Sequence, residues 1–305
     1  MQTVGFIYDA IFLGHETPPG HPETKERLIY VVNALRDSGL WERLIHIKPC
    51  RASYDDIALA HTRHHIEKIK NHGTGFLDPD TYMSQDSLDA ALYAAGSVIE
   101  AVKRCNEKEI QRAFCAVRPP GHHASSDRAS GFCIFNNIAI GARYAQKIGY
   151  KRVLITDFDV HHGDGTQHIF EDDDTVFYFS THQYPLYPGT GNDSERGIGK
   201  GEGYTYNITM RAGSGDKEYL YVYQNVLPEI TRKFKPDIIL VSAGYDIHMN
   251  EPLADIRVSN EGVRSIVQNI LSCTMKPVLF VLEGGYDLTA LGDSVRITVE
   301  EMLKN

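Results

Sequence analysis

The chain of 305 residues has no apolar run near the roughly 20 residues that cross a bilayer. Its opening stretch, Met1-Gln-Thr-Val-Gly-Phe-Ile-Tyr-Asp, reaches an acid too early for a secretory leader. Cysteine is sparse: Cys50, Cys105, Cys115, Cys133 and Cys273, with no CxxC pair. That excludes a disulfide frame and a zinc knuckle, and the expectation is reduced thiols in a cytoplasmic protein. Basic charge is also short, with 31 Lys and Arg against 40 Asp and Glu, a net charge of −9. No excess is available to neutralise phosphates, so nucleic acid is not expected as a partner, and neither is a membrane. Low-complexity tracts, repeats and Pro/Ser-rich linkers are missing too. The abundance that invites chemistry is histidine, with 14 residues.

Strand-like runs recur along the whole chain: Thr3–Tyr8, Arg112–Val117, Arg152–Phe158, Thr175–Ser180, Tyr204–Thr209, Asp237–Ala243 and Pro277–Leu282, with a weaker one at Leu44–Lys48. Several are continuously apolar, which suits strands covered on both faces. Helical patterns alternate with them at Pro22–Ser38, Ser87–Arg104, Ile134–Ile148, Asp216–Phe234, Asn260–Ser272 and Leu288–Leu303. The expected fold is α/β: one domain over residues 1–305, with a central parallel sheet of about eight strands flanked by helices on both faces. In such sheets the site lies beyond the carboxyl ends of the strands.

Four polar clusters follow four of these strands. They are Arg118-Pro-Pro-Gly-His-His-Ala, Asp157-Phe-Asp-Val-His-His-Gly-Asp-Gly, Ala243-Gly-Tyr-Asp-Ile-His and Glu283-Gly-Gly-Tyr-Asp. Asp157, Asp159 and His161 alternate at i, i+2, i+4, which puts them on one face of an extended strand. A capping cluster at a strand–helix junction, with Asp164 near the helix start, is the competing explanation. With Asp246 as a third ligand, Asp159 and His161 give two oxygens, one nitrogen and an open position, a catalytic zinc arrangement. The oxygen-rich set also suits iron or manganese. Two carboxylates cancel the charge of a dication, so its water is less acidified than beside three neutral histidines. Such a site needs a general base and a second electrophile. His122 or His123 could supply the base, oriented by Asp157 or Asp164, and Tyr286 the electrophile. As isolated residues, each has an ordinary structural explanation.

Together these segments resemble the histone deacetylase family, within the arginase–deacetylase fold. Further matches are Gly131-Phe-Cys-Ile-Phe-Asn-Asn, Tyr187-Pro-Gly-Thr-Gly and Gly244-Tyr-Asp. His21-Pro-Glu-x-x-x-Arg-Leu, Leu77-Asp-Pro-Asp-Thr-Tyr and Leu282-Glu-Gly-Gly-Tyr look like its class II branch and bacterial relatives. The resemblance implies zinc on Asp159, His161 and Asp246. It implies His122 and His123 as the tandem catalytic histidines, the second being the principal base and acid, with Asp157 and Asp164 as their partners. Tyr286 would be the transition-state tyrosine. Gly131, Phe132 and Tyr187 would wall an acyl-lysine tunnel, and Arg27 would stand beside an acetate-release cavity. A structural potassium ion would take Asp157, Asp159, His161, Ser180 and Thr181. Asp164 is often asparagine in class II proteins, and a full carboxylate should hold His123 more strongly cationic. Gly73–Ser87 should form the tunnel rim, with Asp86 a contact for substrate backbone.

The implied activity is hydrolysis of an Nε-acetyl-lysine or acyl-lysine amide in a protein or peptide, releasing acetate. An acetylpolyamine amidohydrolase would use the same metal site on a small acetylated amine. Polyamine-specific relatives carry a glutamate where this chain has Leu253, although Glu251 is close by. An arginase-like enzyme with two manganese ions needs an aspartate where the chain has His248. A catalytically silent acyl-lysine binder is the alternative from a different class. The oligomeric state is open.

Overall fold

A computed structural model describes residues 3–304; Met1, Gln2 and Asn305, which the expected domain range includes, lie outside the described residues. Eight strands form one parallel sheet: β1 (Val4–Ile7), β2 (Ile45–Ile47), β5 (Arg112–Cys115), β6 (Val153–Asp157), β7 (Val176–Gln183), β8 (Thr205–Met210), β9 (Ile238–Ala243) and β10 (Val278–Leu282). Two short antiparallel strands, β3 (Gly75–Phe76) and β4 (Tyr82–Met83), make a separate hairpin. The order across the sheet is β2-β1-β5-β10-β9-β6-β7-β8.

The sheet has the expected class and strand count. Strands β1, β5, β6, β7, β9 and β10 are buried at every residue. That is why they read as apolar runs and not as alternations. Each buried Ile, Leu or Val contributes about 1.5–3 kcal/mol, so Leu240→Ala in β9 would cost about 2–5 kcal/mol. Strand β7 runs three residues beyond the expected Ser180, through Thr181, His182 and Gln183, where polar side chains hid its continuation.

The helices are α1 (Glu26–Asp37), α2 (Tyr54–Ile57), α3 (Arg63–His72), α4 (Ser87–Asn106), α5 (Asn137–Lys147), α6 (Asp164–Phe170), α7 (Asp216–Tyr221), α8 (Leu227–Phe234), α9 (Asn260–Ser272) and α10 (Leu288–Lys304). Side-chain caps start several of them: Asn136 accepts from Ala139 N, Thr62 from His65 N and Ser259 from Gly262 N. The single helix expected over 216–234 is α7 and α8 joined by a π-helical turn, Val222–Val226. No helix among the described residues is long and apolar enough to cross a membrane.

The strands that precede the four polar clusters, β5, β10, β9 and β6, are consecutive neighbours in the middle of the sheet. Strands β10 and β9 insert between β5 and β6, which are successive in the chain. That break in strand order opens a crevice at the carboxyl ends.

Candidate active site

All four clusters converge in that crevice. Asp159 and His161 follow β6, Asp246 follows the adjacent β9, and their ligand atoms lie within 4.8 Å of one another. His161 Nδ1 is 3.2 Å from Asp159 Oδ1 and 3.2 Å from Asp246 Oδ2. Backbone amides aim the carboxylates: Val160 N donates to Asp246 Oδ1 at 2.9 Å, and Gly284 N to Asp159 Oδ2 at 2.8 Å. A Cβ on Gly284 would overlap the Asp246 carboxylate, so only glycine permits this approach.

One imidazole proton cannot serve two carboxylates. His161 bonds Asp159, which leaves Asp246 Oδ2 buried without a hydrogen-bond partner. Burial and the neighbouring Asp159 push Asp246 up to about 6. Burial opposes a charge on His161, but the same two carboxylates push it up to about 10. The two buried carboxylates therefore favour a positive charge between them, which a divalent cation would supply. This is the one such cluster among the described residues. His248, at the position where a second metal would need an aspartate, accepts from Asn250 N and takes no part.

The tandem histidines diverge as adjacent side chains must. His122 Nδ1 lies 3.1 Å from Asp157 Oδ2, and His123 Nδ1 lies 2.7 Å from Asp164 Oδ1, the first residue of α6. A carboxylate only accepts, so each Nδ1 carries a proton, and Nε2 is free to act as a base on whichever ring stays neutral. Burial lowers His122, but Asp159 and Asp157 reverse this and raise it well above the usual range. His123 departs from the sequence expectation. Burial and the charge of His122, 4.1 Å away between ring centroids, push it down to about 4 despite Asp164. Asp164 thus orients His123 without holding it cationic.

Tyr286 is partly exposed, and Arg27 stands 5.1 Å from its ring centroid. Burial raises its phenol well above 10, with Arg27 opposing, so the hydroxyl keeps its proton at neutral pH. Phe132 meets Tyr286 edge-on at 5.9 Å, and Tyr187 packs 5.2 Å from His123 and 6.2 Å from His161. Gly131 is obligatory: its φ is +55°, and a Cβ there would overlap the His123 ring. Leu253 is 41% exposed. Its neighbour Glu251 is buried and accepts from Tyr286 N at 2.9 Å and Leu253 N at 3.3 Å, so it faces backbone and not the opening. Of the residues named for potassium, Asp157 and Ser180 are register partners on β6 and β7 and Thr181 follows; Ser180 Oγ is 2.8 Å from His182 Nδ1.

Some groupings around the site were missed. Arg27, expected from the resemblance, lies in a fully buried ion cluster with Glu23 and Arg118, which were not expected there, with Arg118 bidentate on Glu23 and His15 alongside. Their motifs were legible, but nothing along the chain pairs residues 95 positions apart. The rim hairpin falls within the expected 73–87 segment. Its Asp80 backbone carbonyl meets His21 Nε2 at 3.0 Å, and the charges of Asp80 and Asp78 reach Tyr187. Asp86 is exposed at the N-cap position of α4, beside Gly14. His162, left without a role, is a satisfied structural histidine bonded to Thr190 and Gln167.

A parallel eight-stranded sheet with this strand order and this cluster at its carboxyl end defines the arginase–deacetylase fold. The profile of the histone deacetylase domain matches residues 21–302. A probable deacetylase of Archaeoglobus fulgidus is 40% identical over 295 residues, covering 94% of this chain and 82% of that protein. A probable deacetylase of Methanothermobacter thermautotrophicus is 43% identical over 281 residues, covering 90% and 83%. Histone deacetylase 5 of Arabidopsis thaliana is 34% identical along the whole chain, which spans 49% of that longer protein. The crystal structure of the HDA15 HD domain superposes with a TM-score of 0.95 at 34% identity, covering 99% of this chain and 91% of that one. The chain belongs to the histone deacetylase family.

Proposed function

We propose that the protein is a zinc-dependent lysine deacetylase, one catalytic domain that hydrolyses Nε-acetyl-lysine or acyl-lysine amides in peptides or proteins. The observation that carries this is the buried, convergent Asp159–His161–Asp246 cluster beside an oriented, neutral histidine and a protonated phenol. Asp159, His161 and Asp246 would hold the zinc: His161 Nδ1 lies 3.2 Å from Asp159 Oδ1 and 3.2 Å from Asp246 Oδ2, close enough for one cation to reach all three. Bound zinc would supply Lewis-acid polarisation of the amide carbonyl and a more acidic water.

The chain's own groups supply the proton traffic. His123 Nε2, the free nitrogen opposite Asp164, takes a proton from water as it attacks the acetyl carbon. Tyr286 donates its hydroxyl hydrogen bond to the oxygen that gains charge. His123, now protonated, returns the proton to the departing lysine nitrogen, and acetate and the free amine leave. His122, held by Asp157, stabilises negative charge from the other side.

Leu253 and the inward-facing Glu251 support a lysine chain over a polyamine, because neither presents a carboxylate at the opening. The acetylpolyamine reaction is the rival on the same site. By the family resemblance a potassium ion would sit among Asp157, Asp159, His161, Ser180 and Thr181; the Asp157–Ser180 register supports this, and no catalytic step depends on it. Five free cysteines support a reducing, cytoplasmic setting. The test is acetate release from an acetyl-lysine peptide and from N-acetylputrescine, with and without chelator. Chelator-sensitive release favouring the peptide supports the proposal; a strong polyamine preference replaces it with the rival.

A further inference from the structure

Glu283 has no part in the proton transfers above, yet it is fully buried at the centre of the crevice. It follows β10 directly, and its carboxylate faces the histidine loop. Oε2 accepts from Gly121 N at 2.6 Å and from His122 N at 3.1 Å, while Oε1 accepts from Ser242 Oγ at 3.3 Å. The next three residues each hold something else. Gly284 N binds the Asp159 carboxylate, Gly285 O accepts from Arg27 Nε at 2.8 Å, and Tyr286 N is held by Glu251. One four-residue turn therefore ties together the histidine loop, a proposed metal ligand and the tyrosine.

Two successive amides pointing at one oxygen fix the backbone from which both histidine side chains depart. One side-chain oxygen with two lone pairs accepts from both, and the reach of the Glu283 side chain from the end of β10 brings it there. Resting on the deacetylase reading, we infer that Glu283 is a positioning residue: it clamps the loop bearing His122 and His123 to the strand end bearing Tyr286. The base and the oxyanion donor then keep one separation through the reaction. A displacement near 1 Å in such a constellation costs about 100-fold in rate.

The test compares E283D, E283Q and E283A in the zinc-loaded enzyme. E283D keeps the carboxyl group but withdraws its oxygens by one methylene. E283Q keeps one oxygen for both amides and turns its own amide toward Ser242. Clamping by reach predicts that E283D loses about 10- to 100-fold in kcat, with KM and hydroxamate affinity within about threefold. It predicts that E283Q stays within about fivefold of the parent, and that E283A is at least as impaired as E283D. Equal kcat in folded, metal-loaded E283D and parent overturns the inference, as does an E283Q variant as slow as E283D. The outcome does not depend on E283A folding. Histidine-selective 15N spectra of the zinc-free proteins give a readout apart from activity. In E283D the His122 and His123 ring signals should move while those of His61 and His65 stay; unchanged His122 and His123 signals overturn the clamp. If the parent releases no acetate, the deacetylase reading fails, and these spectra still test the clamp.

Discussion

Asp246 Oδ2 and His161 Nδ1 stand 3.2 Å apart at the ends of two adjacent strands, and the buried carboxylate oxygen has no hydrogen-bond partner. The packing spends two backbone amides to aim Asp159 and Asp246 at a shared point. D246N should therefore lose most of its zinc affinity. A ligand that binds only the folded state stabilises by mass action, by about 2.7 kcal/mol at 100 times its Kd. Zinc should raise the Tm of the parent, and the same concentration should leave D246N nearly unmoved. An equal zinc-dependent shift in both would place the metal elsewhere.

Tyr286 is the one phenol placed against both Phe132 and Arg27 at the crevice. Y286F removes a single donor and little packing. By analogy with a lost oxyanion donor, kcat should fall by about 100- to 1000-fold while hydroxamate binding persists. Stopped assays alongside inhibitor titration would show it. Near-parental turnover would remove Tyr286 from the mechanism.

The Glu23 cluster predicts stability. Burial alone would raise its pKa, but Arg118 and His15 more than reverse this and hold it well below 4.5. E23Q leaves two buried guanidinium groups short of a counter-charge, at a cost of about 3–5 kcal/mol near pH 7. The sign follows from the depressed pKa. The contribution is fully present above the unfolded value near 4.5 and is lost as pH falls through the lower folded value. Denaturant melts of the metal-free proteins should show the parent–E23Q gap narrowing only below about pH 4.5. A gap that closes at higher pH would contradict the assignment.

Leu253 is 41% exposed, so L253E should fold normally, and by the family resemblance the side chain would stand at the tunnel opening. A glutamate there attracts a cationic chain through water-screened space, about 1 kcal/mol per charge. The ratio of kcat/KM for acetylated polyamine over acetyl-lysine peptide should rise by roughly fivefold or more. A ratio that does not move would mean that Leu253 is not at the substrate's path.

Much of this was legible in the chain because both signals are local. Continuous apolar runs such as Ile238-Ile-Leu-Val mark strands buried on both faces, and Asp159-x-His161 marks two ligands on one face of an extended segment. The convergence of four strand ends was readable once the sheet was taken as parallel. What escaped depends on pairs distant in sequence. Glu23 meets Arg118 across 95 residues, and Glu283 meets His122 across 161. Neither spacing leaves a periodic trace. The protonation of His123 escaped for a different reason: Asp164 was visible, but the burial and the charged His122 that outweigh it are properties of the packed site. Of the 14 histidines, His162 and His65 prove to be bonded into the packing, whereas His122, His123 and His161 face the crevice.

The most direct measurement strips the protein of metal with a chelator and titrates zinc back while acetate release from an acetyl-lysine peptide is followed. The account predicts no release from the stripped protein and a linear rise in rate. It also predicts a plateau at about one zinc per chain, as for one three-ligand site. No release at any zinc level, or a plateau reached only at two metals per chain, would contradict it.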